Sequence, residues 1–178
     1  MLLERFLITF ETRSPETDET PLPAESPEHL VRRLAREKAE SVAARFPAAL
    51  VIGSDQVAEC SGGIAGKPGT MERASEQLAA FSGKTVNFLS AFAIVCPDDS
   101  FLFEATVNTE VVFRKLSSEE IARYLERDKP LDCAGSFRSE STGTTLLRRM
   151  SSDDPNAIMG LPLITLAEGL RQGGVYLP

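Results

Sequence analysis

The sequence predicts an α/β fold, and three observations carry that expectation. Apolar, strand-like runs at Ala48–Val57, Lys84–Cys96 and residues 101–114 share the chain with stretches whose apolar residues recur at helical spacing. The first run, Ala48-Ala-Leu-Val-Ile, is continuous rather than alternating, which reads as a strand buried on both faces. Helix-start signals stand between the strands: Ser26-Pro27-Glu28, Thr70, and Ser117-Ser-Glu-Glu120, which has the spacing of a capping box.

Taken in order, residues 5–12 (Arg-Phe-Leu-Ile-Thr-Phe-Glu-Thr) read as a strand or its approach. Arg13 to Glu25, with three prolines and the polar Thr17-Asp-Glu-Thr20, reads as a loop. The helix opened by Ser26 is expected to reach about Arg45, where Phe46-Pro47 stops it. The following strand runs into Gly53, Ser54 and Asp55, so Asp55 is expected at its carboxyl end. Open α/β sheets place their ligands there, although an Asp in that position also serves as an ordinary turn cap. Glu59 to Gly69 is a Gly-rich hairpin or loop that holds Lys67 between Gly66 and Pro68; neither a P-loop nor G-x-G-x-x-G spacing is present. Thr70 caps a helix through about Phe81, ended by Ser82-Gly83. Lys84–Cys96 is a strand and Pro97-Asp-Asp-Ser100 its turn. In residues 101–114, Phe101, Phe103, Ala105, Val107, Val111 and Phe113 share one face, as in a half-exposed antiparallel strand. The capped helix ends near Asp128, and Cys133–Gly143 is an aperiodic loop of small and polar residues. Thr144–Arg149 reads as a strand. Asp153-Asp-Pro-Asn156 and Gly160-Leu-Pro162 then lead to a last helix closed by Gly173-Gly174.

One residue stands out in the helix after Ser26. Leu30, Val31, Leu34, Ala35, Ala39, Val42 and Phe46 form its apolar half, and Lys38 falls near the middle of that half. A lysine there must snorkel out, pair with an acid, or face a cavity. On this reading Lys38→Met keeps or raises stability while weakening the binding of an anionic ligand.

Composition narrows the class. The chain has 178 residues, 42% of them hydrophobic, with no apolar run near the roughly 18 residues of a membrane span. Its first residues lack the features of a signal peptide. A net charge of −7 argues against a nucleic-acid coat or a membrane-surface role, while a few inward lysines still suit a small anionic ligand. Cys60, Cys96 and Cys133 form no C-x-x-C pair, which fits unpaired thiols in a reducing cytoplasm. His29 is the only histidine, expected at the surface, so a zinc site or a His-based triad is not expected. Any metal would be bound by carboxylates, which points to Mg²⁺ or Mn²⁺.

Together these pieces resemble the Maf family of nucleoside triphosphate pyrophosphatases. The resemblance rests on Thr17-Asp-Glu-Thr20, Glu37-Lys-Ala39, Gly53-Ser-Asp-Gln56, Gly66-Lys-Pro68, Cys133-Ala-Gly-Ser-Phe-Arg-Ser-Glu140, and Asp154-Pro-Asn156 with Gly160-Leu-Pro-Leu163. Gln56 with Glu140 resembles the branch that cleaves 7-methyl-GTP; the branch acting on dTTP and UTP usually has Thr and Gln there.

The resemblance implies a Maf/ITPase-like mixed sheet with flanking helices, two lobes around a central cleft, and a single domain over residues 1–178. It also implies a divalent cation, hydrolysis between the α- and β-phosphates, release of pyrophosphate, and often a homodimer. By position, Asp55 is the expected general base or a metal ligand, Lys38 and Lys67 meet the phosphates, Glu19 helps hold the metal, and Gln56 and Glu140 set specificity. The family's opening strand and Ser/Arg turn have no counterpart before Met1-Leu-Leu-Glu-Arg-Phe. A non-catalytic nucleotide-binding or cell-division role is the alternative expectation.

Overall fold

The computed structural model of the chain describes residues 2–177. It contains helices α1 (Pro27–Ala43), α2 (Met71–Phe81), α3 (Ser118–Asp128) and α4 (Leu163–Gln172). Its strands are β1 (Val51–Cys60), β2 (Gly63–Ala65), β3 (Thr85–Cys96), β4 (Phe101–Phe113) and β5 (Leu147–Ser152). The fold is α/β as expected: one five-stranded sheet, in the order β2-β1-β3-β4-β5, with every strand antiparallel to its neighbours. Two compact units divide the chain, Met1–Asp55 with Ser90–Val107 and Asp154–Pro178, and Gln56–Leu89 with Asn108–Asp153.

In the first unit, alternation along β3 separates two cores. Phe92 and Ile94 pack with Leu163, Leu166 and Leu170 of α4, while Ala93 and Val95 pack with Ala39 and Ala43 of α1. Successive side chains of a strand point to opposite faces, so helices cover both sides of β3. From Ser90 to Cys96 every β3 residue is buried. The strand buried on both faces is therefore β3 rather than β1, whose residues are mostly half-buried.

Helix α1 begins as its sequence dictates. Ser26 Oγ accepts the amide of His29 at 3.3 Å, and Pro27 occupies the first turn, where its missing N–H costs nothing. The helix lies close on β1 because position 53 has no side chain. A Cβ on Gly53 would stand 2.3 Å from the Ala35 carbonyl oxygen and 2.5 Å from the Ala39 nitrogen.

The second unit packs around aromatic rings. Phe113 lies with its ring centroid 5.6 Å from those of both Phe81 and Phe137, and Phe88 lies 5.6 Å from Phe137. Offset and edge contacts of this kind suit the ring quadrupoles. Ser61 and Gly62, both with positive φ, make the two-residue turn between β1 and β2. That turn twists as the strands do. Ser117 and Glu120 complete the expected capping box of α3.

Three expectations fail locally. Residues 5–12 form no strand: Leu2–Phe6 is a 3₁₀ turn. Leu2, Leu3 and Phe6 share a helical face there and pack against the Phe92 cluster. The last strand begins at Leu147 rather than Thr144, because Thr142–Leu146 forms a 3₁₀ turn closed by the Thr145 hydroxyl donating to the Thr142 carbonyl at 2.7 Å. Asp55 lies within β1, not at its end, because Gly53 admits the helix instead of stopping the strand. In an antiparallel sheet the carboxyl-end rule carries no weight. Among the described residues no helix is long and apolar enough to cross a membrane.

Gly53→Ala forces backbone atoms of α1 off β1. The variant should lose ~3 kcal/mol, the upper end of overpacking costs, read as a lower urea midpoint at unchanged slope. A midpoint within error of wild type would refute the close-approach account.

Candidate active site

The first unit brings together three of the six residues singled out in the sequence. Asp55 projects from β1 on the side of Val51 and Gly53, toward α1. Lys38, one turn beyond Ala35 on α1, reaches it: Nζ lies 2.6 Å from Asp55 Oδ1 and 2.6 Å from Glu19 Oε1. The side chains of Lys38 and Asp55 are 13% and 12% exposed, that of Glu19 is 53% exposed. Of the three options for a lysine on an apolar face, pairing with acids is the one realised.

Burial by itself pulls the Lys38 ammonium toward lower pKa. The hydrogen bonds to Asp55 and then Glu19 overcome it, leaving Lys38 above its ordinary value. The charge is thus retained through neutral pH.

Gln56, Lys67 and Glu140 belong to the second unit. Gln56 follows Asp55 along β1 and so projects to the opposite face. Lys67 is exposed and, among the described residues, has no ion-pair partner, but its backbone is fixed. The Gly66 carbonyl accepts Gln77 Nε2 at 3.2 Å and the Gly135 amide at 3.1 Å, the Gly69 amide donates to the Leu131 carbonyl at 3.0 Å, and Pro68 is buried. A charge on a flexible stem thus rises from a rigid base. Glu140 is also exposed; Ser139 Oγ donates to it at 3.3 Å and Arg138 Nε lies 3.9 Å away. Lys67 and Glu140 make no ion pair or hydrogen bond with each other.

The segment that carries Glu140 is held from α3. Tyr124 donates its hydroxyl to the Ser136 carbonyl at 3.3 Å and accepts the Arg138 amide at 2.9 Å. The Asp128 carboxylate accepts the Thr142 amide at 3.0 Å and its hydroxyl at 2.7 Å. Burial raises the Tyr124 phenol well above its ordinary value, so it stays a donor. Sequence reasoning passed over both residues. A signal existed for Asp128, since an acid in the last turn opposes the helix dipole and needs another reason to be there. Asp154, also missed as an individual residue, is buried and accepts the amides of Asn156 at 2.8 Å and Ile164 at 2.6 Å, capping the first turn of α4.

The donor set suits a divalent cation of the Mg²⁺ type, which is commonly held by one or two carboxylates together with substrate phosphates. Glu19 and Asp55 converge on one point, filled here by the Lys38 ammonium. The Thr17 hydroxyl, two residues before Glu19, is buried and makes no hydrogen bond among the described residues. Among those residues no group of three or more His, Cys, Asp or Glu stands ready as a metal cage.

The pairing corrects the expectation for Lys38→Met. Removing the ammonium leaves two carboxylates facing each other, one of them nearly buried, so the variant should lose ~1–3 kcal/mol, below the cost of breaking a fully buried pair. Because the Lys38 pKa is raised, the difference from wild type is fully present through neutral pH. It is lost as pH climbs through the alkaline range where the folded protein's Lys38 titrates. Millimolar Mg²⁺ should restore part of the loss in the variant alone. Thermal melts at several pH values, with and without Mg²⁺, check this; a variant as stable as wild type would contradict it.

The chain was also compared with known proteins. Residues 1–173 match the family described as Maf-like protein. A protein of Aromatoleum aromaticum, named 7-methyl-GTP pyrophosphatase, is 53% identical over 178 residues, covering 100% of this chain and 92% of the relative. Relatives of the same name in Xanthomonas campestris pv. campestris and Nitrosococcus oceani are 50% and 51% identical, covering 99% and 97% of this chain and 92% and 87% of their own lengths. With the match extending over nearly the whole sequence and including the segments that carry Glu19, Lys38, Asp55, Lys67 and Glu140, the chain belongs to the Maf family.

Proposed function

We propose that this protein hydrolyses a nucleoside triphosphate between its α- and β-phosphates, releasing pyrophosphate, and that 7-methyl-GTP is its substrate. One observation carries the chemistry: a shielded lysine held 2.6 Å from each of two carboxylates. The names of the relatives support the substrate.

In the resting site Lys38 neutralises Asp55 and Glu19. A triphosphate competes for the ammonium, and Lys38 turning to phosphate oxygens releases the Asp55 carboxylate to accept a proton. Asp55 orients a water and takes its proton as the water oxygen attacks phosphorus. The α–β anhydride bond breaks, leaving a nucleoside monophosphate and pyrophosphate. Glu19 and Asp55 would hold Mg²⁺ or Mn²⁺, which supplies further charge neutralisation at the phosphates. By the family resemblance, Lys67 is a further candidate for phosphate contact.

Glu140, with Gln56, reads the base. Guanine presents two adjacent donors, its ring N1–H and exocyclic amine, and a carboxylate accepts from both. Methylation at N7 makes the ring cationic and adds Coulombic attraction. Uracil and thymine present acceptors on either side of one donor, which a carboxylate repels.

Pyrophosphate release from a nucleotide panel with Mg²⁺ or Mn²⁺ tests the reading. Asp55→Asn should lower kcat by ~10²–10⁴-fold, the range of a lost general base, beyond the modest fall in melting temperature expected from weakening the pair with Lys38. Wild-type turnover in that variant would remove Asp55 from the chemistry. Glu140→Gln should lower kcat/KM for 7-methyl-GTP by roughly one to two orders of magnitude, the scale of a lost charged hydrogen bond. Its ratio to kcat/KM for UTP should shrink too, and an unchanged ratio would show that Glu140 does not read the base.

A further inference from the structure

Loop 13–25 follows α1 in the opposite direction and is tied to it and to the turn just after it. The Arg13 guanidinium lies over the Phe46 ring, 5.6 Å from its centroid, and Arg45 Nη2 donates to the Ser14 carbonyl at 3.2 Å. The Glu16 amide donates to Ser41 Oγ at 3.3 Å, and Glu19 meets Lys38.

Arg33 takes the far end of the loop, and one guanidinium serves three partners. Nε and Nη2 donate to the two oxygens of Glu25 at 2.7 and 2.8 Å, Nη1 to Glu37 at 3.1 Å, and Nη2 also to the Thr20 carbonyl at 3.2 Å. Glu25 Oε2 accepts the Leu22 amide at 2.9 Å as well. The Glu25 side chain is 7% exposed and that of Arg33 21%. Arg33 lowers the Glu25 carboxyl to about 2, so the clamp is charged at neutral pH and lost only in strong acid. Thr20 follows Glu19 directly, and its amide donates to Asp18 Oδ1 at 2.9 Å. The Glu19 backbone is therefore fixed between a local Asx turn and the Arg33 clamp.

A half-exposed glutamate has many rotamers, and it meets Lys38 reproducibly only if its backbone is held. We propose that Arg33, acting through Glu25 and the Thr20 carbonyl, is a positioning residue that presents the Glu19 carboxylate to the nucleotide and its cation. The role rests on the reading of Glu19 given above. It also gives Glu37 of the Glu-Lys-Ala segment a purpose: Glu37 accepts Nη1 and keeps the guanidinium fork aimed at the loop. An arginine is required because a lysine offers no planar fork to bridge a carboxylate and a carbonyl.

The test measures Mn²⁺ binding by electron paramagnetic resonance, with the full chain and a non-hydrolysable α,β-methylene analogue of 7-methyl-GTP. Thermal melts and turnover of 7-methyl-GTP are recorded alongside. Glu19→Gln, Arg33→Gln, Arg33→Lys and the double variant Glu19→Gln/Arg33→Gln are compared. Arg33→Gln and Arg33→Lys should each weaken Mn²⁺ binding about ten- to a hundredfold, the usual effect of losing a group that orients a metal ligand. The double variant should be no weaker than Glu19→Gln alone. If Glu19→Gln weakens binding and both Arg33 variants do not, the positioning role is overturned while Glu19 keeps its place. If losses from Glu19 and Arg33 multiply, Arg33 acts elsewhere and the proposal falls. If Glu19→Gln binds Mn²⁺ as wild type does, the reading of Glu19 fails, and Arg33 with it; wild-type turnover then shows whether the pyrophosphatase reading survives. Should Arg33→Gln fail to fold, Arg33→Lys decides by the same criteria, because it keeps the charge and removes only the fork that bridges Glu25 and the Thr20 carbonyl.

Discussion

The contact on which the site depends is made of backbone. Helix α1 rests on β1 where Ala35 and Ala39 face Gly53, at a separation that excludes even a methyl group. Lys38 departs from the helix and Asp55 from the strand within a few residues of that contact. Their separation is therefore set by packing, which is stiff, more than by the attraction between their charges. The pair can open without the elements moving. A site assembled by the ion pair itself would relax whenever the pair opened.

The same contact explains what the sequence made legible. A lysine at the centre of an apolar helix face could be read as paired or functional without knowing its partner, and it is paired. Ser26, Thr70 and the Ser117 capping box marked helix starts correctly, because these signals depend only on neighbouring residues. Gly53-Ser54-Asp55 misled, since a glycine that ends a strand and one that admits a helix look alike in sequence. Only the partner across the contact distinguishes them. The continuous apolar run before Gly53 reads as a strand buried on both faces, but the stretch buried in that way is Ser90–Cys96 of β3, which opens on a serine.

The polar anchors were the least legible. Tyr124 and Asp128 hold the Glu140 segment from a helix, and Asp154 caps α4 from ten residues upstream. Each contact spans at least ten residues, and no local period announces it. Cys133–Gly143 looked like an open loop because it is small, polar and aperiodic, yet Ala134 to Phe137 are buried. Small residues there permit close packing instead of flexibility. Lys67 and Glu140 were identified only through the family resemblance, since a lone Gly-Lys-Pro or a loop glutamate means little on its own.

The loop from Arg13 to Glu25 has a consequence for sequence change. Surface loops ordinarily absorb insertions and deletions, because nothing downstream depends on their length. Here the spacing of loop residues 16, 19, 20 and 25 is matched to helix residues 41, 38 and 33, and Ser14 to Arg45 just past the helix. Adding or removing one residue between Ser14 and Thr20 would put the wrong side chain opposite Lys38 while leaving the core untouched. Pro15, Pro21 and Pro23 further restrict the lengths and paths open to it. An exposed segment of this kind acts as a ruler, tolerant in composition and intolerant in length.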